Sequence, residues 1–257
     1  MTKTKKGLFL AFTIYIFQIV LIFGYIFDWL PIHPIVIIPT FLYLINSKIE
    51  NRELEDLGLI FPFPGYSLLL ALLLAVSKGL LFAQIFFINE IVFNIPAIDI
   101  KSSISLLKEL AIAVLILATW EELSSRGFIQ TRLQDGWGFF GVILSAMMFA
   151  SLHIPSAVFQ FNYTPQTVLI NFVEMLISGF VLSYIYWKTR STFTTIAVHG
   201  LRNFLFGISS SYIGVSAKEI HMLQPGLQMI WSTFELLLVF VYLKLLYPGE
   251  KRLLDTV

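Results

Sequence analysis

Eight apolar stretches, at about 7–29, 31–47, 66–88, 103–133, 137–153, 165–187, 192–213 and 225–247, account for most of this chain. A membrane-crossing helix needs about 20 mostly apolar residues, within roughly 17–25, and on that rule the second stretch is the weakest and the fourth too long. The second is short and carries Pro31, Pro34 and Pro39; the fourth is too long for a simple span and is predicted to emerge into the cytosol. Charged residues are 13% of the 257, and mean hydropathy is +0.82. A soluble domain carries about 25% charged residues. The expected fold is therefore all-α, a polytopic membrane bundle of about eight transmembrane helices.

Lys and Arg placement predicts the orientation. With the N-terminus inside, the cytoplasmic flanks hold eleven cations, namely Lys3, Lys5, Lys6, Lys48, Arg52, Arg126, Arg132, Lys188, Arg190, Lys251 and Arg252, against Lys101 and Lys218 opposite. Both termini are expected in the cytosol. The first stretch follows a basic start and shows no small-residue cleavage site, so a retained first helix is expected rather than a signal peptide. The charged, apolar-interleaved segment 48–62 suits a short interfacial helix. No internal repeat, linker or low-complexity tract stands out. The organisation expected is helices 1–3 over 1–100, a core of helices 4–7 over 101–215, and a last helix with its tail over 216–257, together one structural domain.

Composition also excludes. No cysteine is present, so thiolate metal sites, disulfides and a cysteine nucleophile are ruled out. A net charge of +1 gives no reason to expect nucleic acid as a partner; the bilayer is the expected surrounding.

Within the fourth stretch stand Glu121, Glu122 and Arg126, in TWEELSSRGF. Ionisable groups at bilayer depth are costly and are kept where they line a cavity or find partners. His153 ends FASLH in the fifth stretch, and His199 with Asn203 lies in HGLRN of the seventh. If Gln134-Asp135-Gly136 is a tight turn and the flanking helices form a hairpin, Glu121 and His153 lie roughly 21 and 27 Å from it at 1.5 Å per residue. His199 and Asn203 lie roughly 14 and 20 Å beyond Arg190 on the same count. All four then approach one level below the cytosolic surface.

Glu122 and Arg126 share a helix face, as do His199 and Asn203. Glu121 points about 100° away from Glu122. Glu121 is thus read as facing a cavity and Glu122 as anchoring Arg126, although spacing alone permits the reverse. Each piece has a bland reading: a structural Glu–Arg pair, an interfacial histidine, and an Arg202 that snorkels to headgroups. Lys78, Lys108, Glu174 and Glu235 read as isolated charges, with Glu174 a hydrogen-bonded buried acid. The 25 Phe, with the Tyr and Trp residues, fit lipid-facing surface and interfacial belts.

At EExxxR (Glu121, Glu122, Arg126), FxxxH (Phe149, His153) and HxxxN (His199, Asn203), the chain resembles the CAAX prenyl protease type II family, also called the CPBP intramembrane proteases. The similarity covers about residues 115–207. The position before the arginine, usually aromatic in that family, is Ser125 here. Neither a G-x-S-x-G elbow nor HExxH occurs, which leaves water as the nucleophile. The resemblance implies Glu121 as general base assisted by His153, His199 and Asn203 as oxyanion donors, and Glu122, Arg126 and Phe149 as support. It leaves the metal open: Glu121, His153 and His199 would be the ligands of a Zn2+ ion, while a metal-free glutamate mechanism is the reading preferred. Implied substrates are CAAX-like or lipidated peptides, bacteriocin-like peptides or signalling peptides, and the Ile-, Phe- and Lys-rich composition points to a prokaryotic plasma membrane. Two other classes stay in view, a transporter or ion-binding protein and a non-catalytic immunity or scaffold protein.

Overall fold

The computed structural model describes residues 3–29, 34–88, 100–213 and 225–247. Among these residues all regular structure is helical. The cause is the solvent: inside hydrocarbon a backbone must satisfy its own N–H and C=O groups, and a helix does so within one segment. The helices are α1 (Lys3–Ile26), α2 (Pro34–Leu44), α3 (Pro64–Ile88), α4 (Ile100–Ala111), α5 (Thr119–Glu122), α6 (Thr131–Trp137), α7 (Phe139–Ser151), α8 (Pro165–Thr189), α9 (Thr192–Ile213) and α10 (Pro225–Leu245). Wider π-type turns over Ile112–Ala118 and Leu123–Gln130 join α4, α5 and α6, so 100–137 runs as one uninterrupted helical rod.

Among the described residues five helices are long and apolar enough to cross a bilayer: Thr4–Ile26, Pro64–Leu81, Phe139–Gln160, Pro165–Thr189 and Gln228–Leu245. The rod 100–137 and α9 fall outside that set, and they carry the acids, Arg126, His199 and Arg202. Lipid-type surface is plain on the outside, where Phe87, Leu115, Leu169 and Ile230 are all exposed. Polar side chains instead fill the centre: Gln18, Glu122, Arg126, Gln130 and Arg132 are fully buried.

Packing brings α7 against α8, α3 against α9, and α10 against α8 and α3, while α1 lies along α6 and α7 follows closely on α6. The helix expected over 48–62 is not there. That segment forms only a π-type turn at Ile45–Ile49 and a single 3-10 turn at Leu54–Leu57, whose N-terminus is closed by reciprocal Glu53 and Asp56 capping. Tertiary contacts outcompete a helix: Asn46 donates to the Arg52 and Glu53 carbonyls at 3.2 and 2.8 Å. Arg132 hydrogen-bonds Glu50 and, at 2.8 Å, the Asn46 side chain.

The tight turn also sits elsewhere. Gln134-Asp135-Gly136 continues α6, and the chain turns at Gly138, with φ 55° and ψ −131°, a conformation essentially closed to residues with a Cβ. Asp135 is held by Arg52 at 2.9 Å. Pro31, Lys218, Lys251 and Arg252, which entered the span and orientation expectations, lie outside the described residues.

The start of α9 is tied to the segment 57–60. Thr192 N–H donates to the Gly58 carbonyl at 2.8 Å, and the Ser191 hydroxyl to the Ile60 carbonyl at 2.6 Å. The same segment touches the rod, where a Cβ on Gly127 would stand 2.5 Å from the Leu57 carbonyl oxygen. One short segment therefore sets α9 against the rod, and with it His199 against the acids.

Candidate active site

The two adjacent glutamates have different surroundings. Glu122 is fully buried, whereas the Glu121 side chain is 22% exposed. Glu122 Oε1 accepts from Arg126 at 3.3 Å and from His199 Nδ1 at 2.7 Å. Arg126 continues the chain of contacts, donating to the Gly179 carbonyl of α8 at 3.1 Å and lying 4.1 Å over the Phe149 ring. The ring of Phe149 also meets His153 and His199 at steep angles, with centroids 4.9 and 6.0 Å apart.

His199 reaches both acids. With Nδ1 on Glu122, its Nε2 stands 3.7 Å from Glu121 Oε2. His153 Nδ1 lies 3.0 Å from the Phe149 carbonyl. A carbonyl only accepts, so in this contact Nδ1 carries the proton and Nε2 of the neutral ring is left as the basic nitrogen.

Two cavities meet at these residues. One of about 220 Å3 is lined by Glu121, His153, His199 and Asn203, with Phe149 and Arg202 beside them. The other, about 310 Å3, opens between α1, α5 and α7 and is walled by Gln18, Trp120, Glu121 and His153 among others. Glu121, Phe149 and His153 line both. The four residues singled out for chemistry thus share one cavity wall, and the supporting Phe149, Arg126 and Glu122 stand on it or directly behind it.

Several charges read as isolated are paired. Lys78 and Glu174 form an ion pair at 3.7 Å, and Arg202 binds Glu235 at 2.7 Å and the Ser178 hydroxyl at 2.9 Å. Arg202 is buried and does not snorkel. A desolvated guanidinium finds an acid on a neighbouring helix rather than lipid headgroups.

Among the described residues no group of three or more His, Asp and Glu side chains is arranged to hold a metal ion. Glu121, His153 and His199 do not form such a group. Nδ1 of His199 is held by Glu122 and Nδ1 of His153 by a backbone carbonyl, which orients both rings and leaves each Nε2 as the free nitrogen.

Sequence reasoning missed the second partner of Glu122 and the role of Gly179. A Cβ there would lie 3.0 Å from the Phe149 ring and 3.2 Å from the Ala146 carbonyl oxygen. The glycine lets α8 approach α7 closely enough for its own carbonyl to receive Arg126. A glycine inside an apolar helix was the available signal. No curated protein and no solved structure matches the chain. Residues 103–205, which hold the acids, Phe149, His153, His199 and Asn203, match the family model for Rce1-like type II CAAX prenyl endopeptidases.

Proposed function

We propose that the protein is an intramembrane endopeptidase that cuts peptides with a water molecule activated by Glu121 and His153. The observation that carries this reading is the one cavity, about 220 Å3, shared by Glu121, His153, His199 and Asn203. Glu121 has no structural partner as tight as those of Glu122, so it is the acid left for proton transfer.

Glu121 takes a proton from water as the oxygen attacks the scissile carbonyl, and His153 Nε2 assists. The oxyanion that forms receives the Asn203 amide N–H and, when His199 carries protons on both nitrogens, its Nε2–H. In that state Glu121, Glu122, Arg126 and His199 sum to zero charge, which suits a site with little water to screen it. Collapse of the intermediate breaks the C–N bond, and the proton held by Glu121 passes to the leaving amine. A positioned acid-base group supplies about 10²–10⁴-fold, and one oxyanion donor about 10²–10³-fold.

The topology proposed is eight membrane passes with both ends cytosolic: the five long apolar helices, joined by α2, the rod 100–137 and α9. The substrate is a CAAX-like, bacteriocin-like or signalling peptide, and the membrane a prokaryotic plasma membrane. The chemistry proposed is metal-free, with Glu121 as the base.

The test uses the full chain in nanodiscs with a mixture of fluorescence-quenched peptides ending in apolar residues. Cleavage is expected, lost in Glu121→Gln, His153→Ala and Asn203→Ala, and retained after chelation. Cleavage persisting in all three variants sinks the protease mechanism; loss on chelation, restored by zinc, sinks the metal-free form.

A further inference from the structure

The larger of the two cavities, between α1, α5 and α7, holds polar atoms that the fold does not use. Gln18, on α1, has no exposed surface, and its amide nitrogen and oxygen both lack a hydrogen-bond partner among the described residues. Trp120 Nε1, on the same cavity wall, is buried and equally unmatched. Buried polar groups are nearly always paired, so three such atoms on one wall point to a ligand that pairs them. At about 310 Å3 the cavity is large enough for a small group, since binding pockets usually measure roughly 300–1,000 Å3. Its other walls are apolar, with Ile22, Leu117 and Leu152.

The chemistry of the ligand follows from the donors and acceptors. A carboxamide offers both, and an indole N–H only donates. A carboxylate would leave the Gln18 oxygen unmatched and facing negative charge. A cation would leave two sets of N–H donors unmatched. A neutral group with a C=O and an N–H side by side, attached to an apolar side chain, satisfies all three atoms.

We propose that this cavity is a backbone-reading subsite, in which Gln18 and Trp120 hydrogen-bond the N–H and C=O of one extended residue of the substrate next to the bond that Glu121 attacks. This rests on the protease reading of Glu121, which lines the same cavity. It adds a requirement on the substrate. A membrane helix has already spent its N–H and C=O groups internally, so only a locally extended segment can offer them. The subsite therefore selects unwound peptide, and the Gln18 and Trp120 bonds replace those lost on unwinding.

The test uses a blocked hexapeptide of Ala and Leu with a diazirine-bearing leucine at its centre. The full chain, as Glu121→Gln to prevent cutting, is photolabelled in nanodiscs. Labelling is expected within 18–26 or 117–125, and to fall roughly tenfold with an added Gln18→Leu, the worth of one to two neutral hydrogen bonds. Replacing the central amide by an ester is expected to weaken labelling when Gln18 is present and to add nothing in the Gln18→Leu background. Gln18→Leu also removes unmatched buried atoms, so its thermal midpoint is expected to hold or rise. Labelling indifferent to Gln18→Leu, or a lowered midpoint that marks the amide as structural, overturns the subsite. Gln18-dependent labelling without any cleavage by the unsubstituted chain in the quenched-peptide assay overturns the protease reading instead.

Discussion

The two cavities that share Glu121, Phe149 and His153 differ in whether their buried polar groups are charged and paired with opposite charge. Around the histidine-lined cavity beside α9 each charge has an opposite charge beside it, Lys78 with Glu174, Arg202 with Glu235, and Glu122 with both Arg126 and His199, while single atoms of Glu122, Arg126, Arg202 and Glu235 stay unmatched among the described residues. In the cavity beside α1, Gln18 and Trp120 have polar atoms with no protein partner among the described residues. The first side is built like a rigid framework that holds His199 in place. The second keeps hydrogen-bonding capacity in reserve. Glu121 stands between them, which is where a group acting on a bound peptide has to be.

The largest effect expected from breaking this division is on Glu121. Glu121→Gln keeps size and hydrogen bonding but removes the base, so cleavage falls about 10²–10⁴-fold while the thermal midpoint in detergent hardly moves. Arg126→Ala attacks the framework instead. It leaves Glu122 buried beside His199 without its cation, and removing one partner of a buried pair costs about 3–5 kcal/mol. Thermal unfolding followed by circular dichroism is expected to show a clear drop. A large loss of stability in Glu121→Gln, with none in Arg126→Ala, would exchange the roles of the two acids.

Asn203→Ala comes next, with a loss of about 10²–10³-fold in kcat and little change in KM, since an oxyanion donor acts mainly in the transition state. Steady-state kinetics on a cleaved quenched peptide make the separation. A rise in KM at constant kcat would move Asn203 from the chemistry to substrate binding.

Part of the fold was legible because bilayer length is a strong signal: five of the eight apolar stretches fall on helices that, among the described residues, are long and apolar enough to span. The meeting of Glu121, His153, His199 and Asn203 was legible from depth along the helices, although the turn used for the count was misplaced. Gln134-Asp135-Gly136 has turn-like composition, but Arg52 reaches Asp135 from another segment and α6 continues to Gly138. Pairing between remote helices left no local trace, so Lys78 with Glu174 and Arg202 with Glu235 looked like lone charges. Gln18 was invisible for a different reason. A single amide in an apolar run says nothing of itself until its neighbours in space are known to offer it no partner.

A smaller effect tests how closely the framework is packed. A Cβ on Gly200, the neighbour of His199, would stand 2.7 Å from Val114 Cα, whereas one on Gly79 meets nothing within 4 Å. Gly200→Ala is expected to cost about 1–3 kcal/mol by overpacking and to slow cleavage by displacing His199. Gly79→Ala is expected to be neutral in both. Equal midpoints for the two variants would mean that α9 and the rod have slack, and that His199 is held by Glu122 alone.

The smallest expected effect concerns the matched charges themselves. If Lys78 and Glu174 serve mainly to neutralise each other, replacing both by methionine removes two desolvation costs along with one attraction. Such replacements of buried pairs are often neutral or stabilising. The double variant Lys78→Met with Glu174→Met is therefore expected to unfold within about 1 kcal/mol of the unsubstituted chain, and each single variant to unfold earlier than the double. The excess of the two single losses over the double loss measures their coupling. A double variant less stable than either single would show that the pair does more than cancel charge, because each group would then be holding something besides the other. The contrast between the cavities would weaken accordingly, since the side beside α9 would also be keeping polar capacity for a ligand.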